Sequence, residues 1–324
     1  MGKKVQCELC PTECILEDLQ IGGCRVRINK GGVLYSLVYG KPCAVAVDPI
    51  EKKPFFHFLP ATTAFSIATA GCVLGCKFCQ NWEISQAKPE ETDNHNLMPD
   101  DVVRQAMFYG CRTITYTYTE PTVFYEYMYD TAQIAKKYNL KNTMHTCGYI
   151  NEKPLRKLAE YMNAADVDLK AFTEDFYSRI CGGRLKPVLD ALVVLKQENV
   201  WLEITNLIIP TLNDDNGKIK EMCQWIIKNL GPDVPLHFSR FFPHYKLKNL
   251  PPTPFETIRD ARNIAMDAGL KYVYIGNLRS EAENTYCPEC RKLLIERAGY
   301  FVKQNNISDA KCRFCRAKIP GIWS

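Results

Sequence analysis

No apolar run in this 324-residue chain approaches the roughly 18–20 residues that a membrane-crossing helix needs. A membrane-spanning helix is therefore not expected. The first residues, Met-Gly-Lys-Lys-Val-Gln-Cys, have no apolar core of the kind a secretory signal carries, so the expected location is cytoplasmic. No basic run is interleaved with aromatic residues, which argues against nucleic acid as a partner. Internal repeats and low-complexity segments are also missing. Solvated lysines are the commoner cause of a net charge of +5, with an anionic substrate as the alternative. Hydrophobic content of 46% and charged content of 24% are ordinary for a globular protein.

Cysteine is what the chain has in excess, sixteen in all. Without a secretory signal, and in a chain this long, CxxC pairs point to metal rather than to disulfides. Three groups stand out: Cys7, Cys10, Cys14 and Cys24; Cys72, Cys76 and Cys79; and Cys287, Cys290, Cys312 and Cys315. They divide the chain into an N-terminal cysteine-rich module with its connector (1–60), a central domain (61–282) and a C-terminal four-cysteine module (283–324). Cys43, Cys111, Cys181 and Cys223 have no partner spacing and read as ordinary reduced cysteines. The charges and prolines of Asp48–Pro60 suit an exposed connector, with His57 structural.

The centre alternates β-rich with helical segments. Strands are expected at 63–70, 113–117, 143–146, 165–169, 201–209, 236–240 and 272–275. Helices are expected at 101–109, 123–138, 153–162, 187–197, 217–228 and 257–268. Repeated β–α units imply a parallel sheet, open or curled into a partial or full (β/α) barrel, with its chemistry at the C-terminal strand ends.

Cys72, Cys76 and Cys79 follow the first of these strands with C-x3-C-x2-C spacing. Three thiolates on one short loop can ligate three irons of a [4Fe–4S] cluster and leave the fourth iron open to a substrate or cofactor. A structural zinc or a closed cluster would need a fourth ligand close by, and the loop has none. With Phe78 just before the third cysteine, the motif resembles that of the radical S-adenosylmethionine (SAM) superfamily. The resemblance implies that the open iron binds SAM. It also implies reductive cleavage to a 5′-deoxyadenosyl radical that abstracts hydrogen, with ferredoxin or flavodoxin as electron donor.

Other strand ends carry polar residues. Glu120, in Tyr118-Thr119-Glu120-Pro121, resembles the glutamate of the superfamily's Gly-Gly-Glu motif, which binds the SAM amino group; helix capping is its other reading. Asp166, Asp168 and Lys170 alternate along one strand and so share a face, which suggests a lined cavity. The glycyl-radical-enzyme activases place a lysine and a histidine where this chain has Lys170 and His237. They have an acidic residue where it has His145. Asn206 is a further candidate for contact with methionine or substrate, or else a polar strand-end residue. Cys147 is either a small buried hydrophobe or a thiol beside the SAM pocket.

A narrower likeness covers nearly the whole chain. The segments Asp48–Pro60, Cys79–Gln86 and Phe238–Tyr245, with both flanking cysteine groups, resemble the AmmeMemoRadiSam-system radical SAM proteins, relatives of pyruvate formate-lyase activating enzymes. That likeness implies Memo-type and AMMECR-type partners and a peptide or protein substrate. Direct modification of a small molecule and a non-catalytic metal scaffold are the alternatives. The two C-terminal CxxC pairs are spaced for one tetrahedral ion, zinc by default or rubredoxin-like iron. The N-terminal C-x2-C-x3-C-x9-C set suits zinc or an auxiliary [4Fe–4S] cluster.

Overall fold

Parallel strands must be joined by crossovers, and helices outside the sheet supply them. The computed structural model, which describes residues 3–324, has this architecture. Two antiparallel hairpins come first: β1 (Val5–Gln6) with β2 (Ile15–Leu16), and β3 (Arg27–Lys30) with β4 (Val33–Ser36). Next, β5 (Ala44–Pro49) runs antiparallel to β6 (Thr63–Ala68). The parallel strands β7 (Thr113–Tyr116), β8 (Lys141–Thr146), β9 (Ala164–Asp168), β10 (Trp201–Ile208), β11 (Leu236–Arg240) and β12 (Val273–Gly276) follow in chain order. Together β5–β12 make one eight-stranded sheet whose edges, β5 and β12, do not pair with each other. The barrel is therefore partial.

The helices are α1 (Trp82–Ser85), α2 (Pro99–Phe108), α3 (Tyr125–Lys137), α4 (Glu152–Ala159), α5 (Glu174–Phe176), α6 (Leu185–Gln197), α7 (Asn216–Leu230) and α8 (Phe255–Asp267). Their starts follow capping chemistry. Pro99 opens α2, where its missing N–H costs nothing, and Asp101 accepts the Met98 amide. Asp215 caps α7 by accepting the Lys218 amide at 2.8 Å. Val123 and Phe124, expected in the following helix, belong instead to a 3-10 turn, Pro121–Phe124, capped by Glu120. No helix is long and apolar enough to cross a membrane.

One expectation is overturned. The sheet starts at Ala44, and Asp48–Pro60 is not an exposed connector: Ile50, Phe55, Phe56, His57, Phe58 and Leu59 are all buried. Asp48, Glu51 and Lys53 are buried with partners, and Lys52 alone of these charges reaches solvent. Lys52 and Lys53 each donate to Asp48 at 2.7 Å, and Glu51 accepts the Ala61 amide at 2.8 Å. The segment floors the barrel on its open side. The amides of Phe56 and His57 donate to Glu203 of β10 at 3.0 and 2.8 Å, and the Phe56 ring meets His237 of β11 and Tyr274 of β12, each at 4.8 Å. His57 is structural: its ring nitrogens contact the Pro320 carbonyl at 2.7 Å and the Tyr274 hydroxyl at 2.6 Å.

The last residues form β13 (Thr285–Tyr286), β14 (Leu293–Ala298) and β15 (Phe301–Asn305) as one small sheet, and β16 (Ile307–Ser308) with β17 (Lys311–Cys312) as a ribbon. Their apolar side packs on Phe56, Tyr272 and Tyr274. Backbone bonds join Leu59 to Ile322 at 2.7 Å and Ile322 to His57 at 2.8 Å. Arg297 lies over the Phe56 ring at 4.0 Å and donates to the Phe56 carbonyl.

Candidate active site

The C-terminal ends of the strands surround a cavity of about 530 Å³. That lies within the range of about 300–1,000 Å³ usual for small-molecule sites. Cys72, Cys76, Cys79, Phe78, Glu120, His145, Asp168, Lys170, His237 and Cys147 all line it. Asn206 does not. Its strand turns it outward, where it donates to the Leu169 carbonyl at 2.7 Å and meets Met222 of α7. Strand alternation instead sends Glu203 and Thr205 inward, and Thr205 reaches the cavity.

The cysteine loop is clamped from two sides. Amides of Gly75 and Lys77 donate to the carbonyls of Cys181 and Ile180 at 2.8 and 3.0 Å, in a one-turn π-helix, Tyr177–Cys181. Such turns are uncommon and recur at functional sites. Asn81 donates to the Tyr118 carbonyl at 2.9 Å, and the Ser85 hydroxyl meets the Cys79 sulfur at 3.3 Å. Cys181, read from the sequence as an ordinary cysteine, brings its thiol against Cys76; that contact, then burial, pushes the Cys76 thiol up. Burial pushes Cys72 and Cys79 up as well. Metal binding here must displace protons.

Lys170 is the cation beside these thiols. Burial opposes its charge, but Asp168, 2.7 Å away, and the thiols of Cys76, Cys147 and Cys181 keep it protonated. It also sits over the Phe78 ring, 5.6 Å from the centroid. Glu120 is almost saturated. It accepts from the Thr122 amide and hydroxyl, from the Thr146 hydroxyl at 2.7 Å and from the Cys147 amide at 2.7 Å. The capping reading is thus realised, and the same carboxylate ties the end of β7 to that of β8.

His145 pairs with Asp166 across β8 and β9. Its Nδ1 lies 2.5 Å from Asp166 and its Nε2 3.5 Å from Asp168. Burial alone would lower its pKa; the two carboxylates override that and raise it to about 10. An imidazolium is therefore built into the cavity wall. His237 is held differently, 2.7 Å from the buried Glu203 carboxylate.

Sequence reasoning missed the opposite wall, contributed by Glu51, Lys52, Lys53, Pro54 and Phe56 from the floor segment and by Tyr118. Lys53 bonds Asp48 at 2.7 Å and the Tyr118 hydroxyl at 3.0 Å, and burial lowers its pKa to about 8. The available signal was the Ala44-Val-Ala-Val-Asp-Pro run, rich in β-branched residues and so a strand candidate. Tyr300 reaches the cavity from the C-terminal module.

That module holds a ready metal centre. The sulfurs of Cys287 and Cys315 are 3.6 Å apart and those of Cys290 and Cys312 3.7 Å apart, with all four within 4.8 Å of one another. One ion bound tetrahedrally at about 2.3 Å sets sulfur–sulfur edges of roughly 3.8 Å. Amides of Cys315 and Phe314 outweigh the effect of burial on Cys312 and bring its thiol down to about 7.

Residues 66–226 match the Radical SAM superfamily. An uncharacterized protein of Methanocaldococcus jannaschii, MJ0808, is 47% identical over 319 residues, covering 98% of this chain and 95% of that one. The chain belongs to the radical SAM superfamily. It is also similar to the pyruvate formate-lyase-activating enzyme of Clostridium pasteurianum, 23% identical over 169 residues that cover 49% of this chain and 67% of the other. Among solved structures, SuiB of Streptococcus suis bound to S-adenosylmethionine has a similar fold, with a TM-score of 0.54 at 14% identity, over 74% of this chain and 56% of SuiB. Membership implies an enzyme that uses a [4Fe–4S] cluster and SAM. The donors here fit that pair: three thiols on one loop open onto a cavity of ligand size, with a lysine cation and several carboxylates around it.

Proposed function

We propose that this chain is an activating-enzyme-like oxidoreductase acting on a peptide or protein, with Cys72, Cys76 and Cys79 as cluster ligands. The observation that carries the reading is the convergence of these thiols with Glu120, Asp168, Lys170 and His237 on one cavity. The bound cluster and SAM supply one-electron reduction and a hydrogen-abstracting radical. The chain's own residues bind and orient. Asp168 and Lys170 form a dipolar pair suited to the amino-acid end of SAM. Phe78 carries the Lys170 ammonium over its ring, and the buried floor of Phe56 and His237 closes the cavity from below. Glu120 holds the Cys147 amide in place at the cavity wall, leaving the Cys147 thiol near Cys72.

Similarity to activating enzymes supports a protein substrate. Membership of the AmmeMemoRadiSam group, with Memo-type and AMMECR-type partners, is supported by the motif segments and both cysteine modules. An electron donor of the ferredoxin or flavodoxin type, a cytoplasmic setting and zinc at the C-terminal cysteines complete the proposal. Lys52 and Lys53 at the cavity wall favour a second reading, an anionic small molecule as substrate.

Anaerobic reconstitution, dithionite reduction and addition of SAM should yield 5′-deoxyadenosine, and Cys76→Ala should abolish it. A loaded cluster that produces none would overturn the reading. Deuterated peptide or small-molecule candidates separate the substrates, because label enters 5′-deoxyadenosine from the true donor alone.

A further inference from the structure

Four thiols near the start of the chain remain without a role. In the β1–β2 ribbon the Cys7 amide donates to the Cys14 carbonyl at 2.9 Å, which sets these two side by side. Cys10 lies in the turn between them, where the Glu13 amide returns to the Cys10 carbonyl at 3.0 Å. Cys24 follows the turn at Gly22-Gly23. Cys7 and Cys10 are buried, and Cys14 and Cys24 are half-buried. None of the four is in a disulfide.

A second observation points to an anionic occupant. Arg27 is only 6% exposed and sits near Cys7 and Cys24. Two of its nitrogens bond Glu126, but its buried Nε has no partner. A buried N–H without an acceptor is costly. A metal–thiolate centre beside it would supply both counter-charge and acceptor.

Sulfur spacing distinguishes the kinds of centre. The C-terminal four are drawn together as one tetrahedral ion requires. Among the described residues, no three of the N-terminal sulfurs lie mutually within 4.8 Å, and neither do Cys72, Cys76 and Cys79. A cubane cluster puts each thiolate on a different iron and so keeps the sulfurs roughly 6 Å apart. Neither the N-terminal set nor the loop to which superfamily membership assigns such a cluster is drawn together as one tetrahedral ion requires.

We propose that Cys7, Cys10, Cys14 and Cys24 hold a second [4Fe–4S] cluster rather than zinc, packed against the loop that carries the first. Gly71, next to Cys72, shows the closeness: a Cβ there would lie 2.5 Å from the Cys24 carbonyl oxygen. With all four irons ligated by protein, this cluster has no open position for SAM. Its chemistry is the passage of single electrons.

The test is metal and sulfide analysis of the anaerobically purified full-length protein. About eight acid-labile sulfides and one zinc per chain are expected. Rubredoxin-type iron at the C-terminal site carries no sulfide and leaves the count unchanged. The triple variant Cys72→Ala, Cys76→Ala, Cys79→Ala should keep about four sulfides and show a reduced-cluster electron paramagnetic resonance signal that SAM does not alter. The double variant Cys10→Ser, Cys24→Ser should lose about four sulfides and keep the SAM-sensitive signal. About four sulfides with two zinc ions in the unaltered protein, or no sulfide in the triple variant, would overturn the proposal. Should the double variant not fold, the unaltered protein and the triple variant decide the matter.

Discussion

His145 shows how a charge is kept inside a barrel. It stands between Asp166 and Asp168, and its removal would leave a fully buried Asp166 with the Thr205 hydroxyl as its remaining polar neighbour. The variant His145→Gln should lose about 3–5 kcal/mol of stability at neutral pH, the range for breaking a buried ion pair from one side. Because the folded pKa is raised to about 10, the ion pair's contribution is complete below the unfolded value near 6.5 and disappears as pH rises through 10. Urea melts of both proteins should therefore differ most near pH 6 and converge by pH 10.5. Glu120 gives a sharper local test. Glu120→Gln keeps the shape but turns one acceptor into a donor, and either amide orientation sets N–H against N–H at Cys147 or at Thr122. A loss of about 1–3 kcal/mol is expected in the same melts, with SAM affinity reduced.

At the scale of elements, what was legible depended on distance along the chain. The cysteine loop was readable because its chemistry is local: three thiols and an aromatic within eight residues, after a β-branched run. The helices were readable from apolar spacing and capping residues. The floor segment was not, because Asp48–Pro60 is buried by partners far downstream, in Glu203, His237 and Tyr274. In composition it is charged and proline-bearing, and its charges are neutralised by one another. Cys181 was missed for the same reason: only the fold brings it to Cys76. His145 was found by its place at a strand end, but the pairing that charges it is a matter of register with β9. The junction between the first hairpins and the cluster loop makes a further prediction. Gly71 has φ +89, and a Cβ there would also lie 2.6 Å from Val26. Gly71→Ala should therefore cost several kcal/mol through strain and overpacking. Loss of the visible absorbance of the clusters at a fixed temperature would report it.

For the whole molecule, the C-terminal module is both a candidate metal site and a wall. Its Tyr300 lines the cavity, and its core rests on Phe56 and Tyr274. Cys290→Ser, or chelation of the bound ion, should loosen this contact, lower the thermal midpoint by several degrees and shift Trp323 fluorescence to the red. Trp323 now packs on His57 at 5.2 Å. A variant that kept its midpoint and its fluorescence would show that the module stands without its metal.

The tail that bonds to the floor segment has a consequence for assembly. His57 meets Pro320 across 263 positions of chain. A contact between such distant residues is slow to form, because its loop must close before it stabilises anything. Until it forms, the floor segment lacks the tail that holds His57 and Leu59 in place, so the last residues of the chain complete the wall begun by some of the first strands.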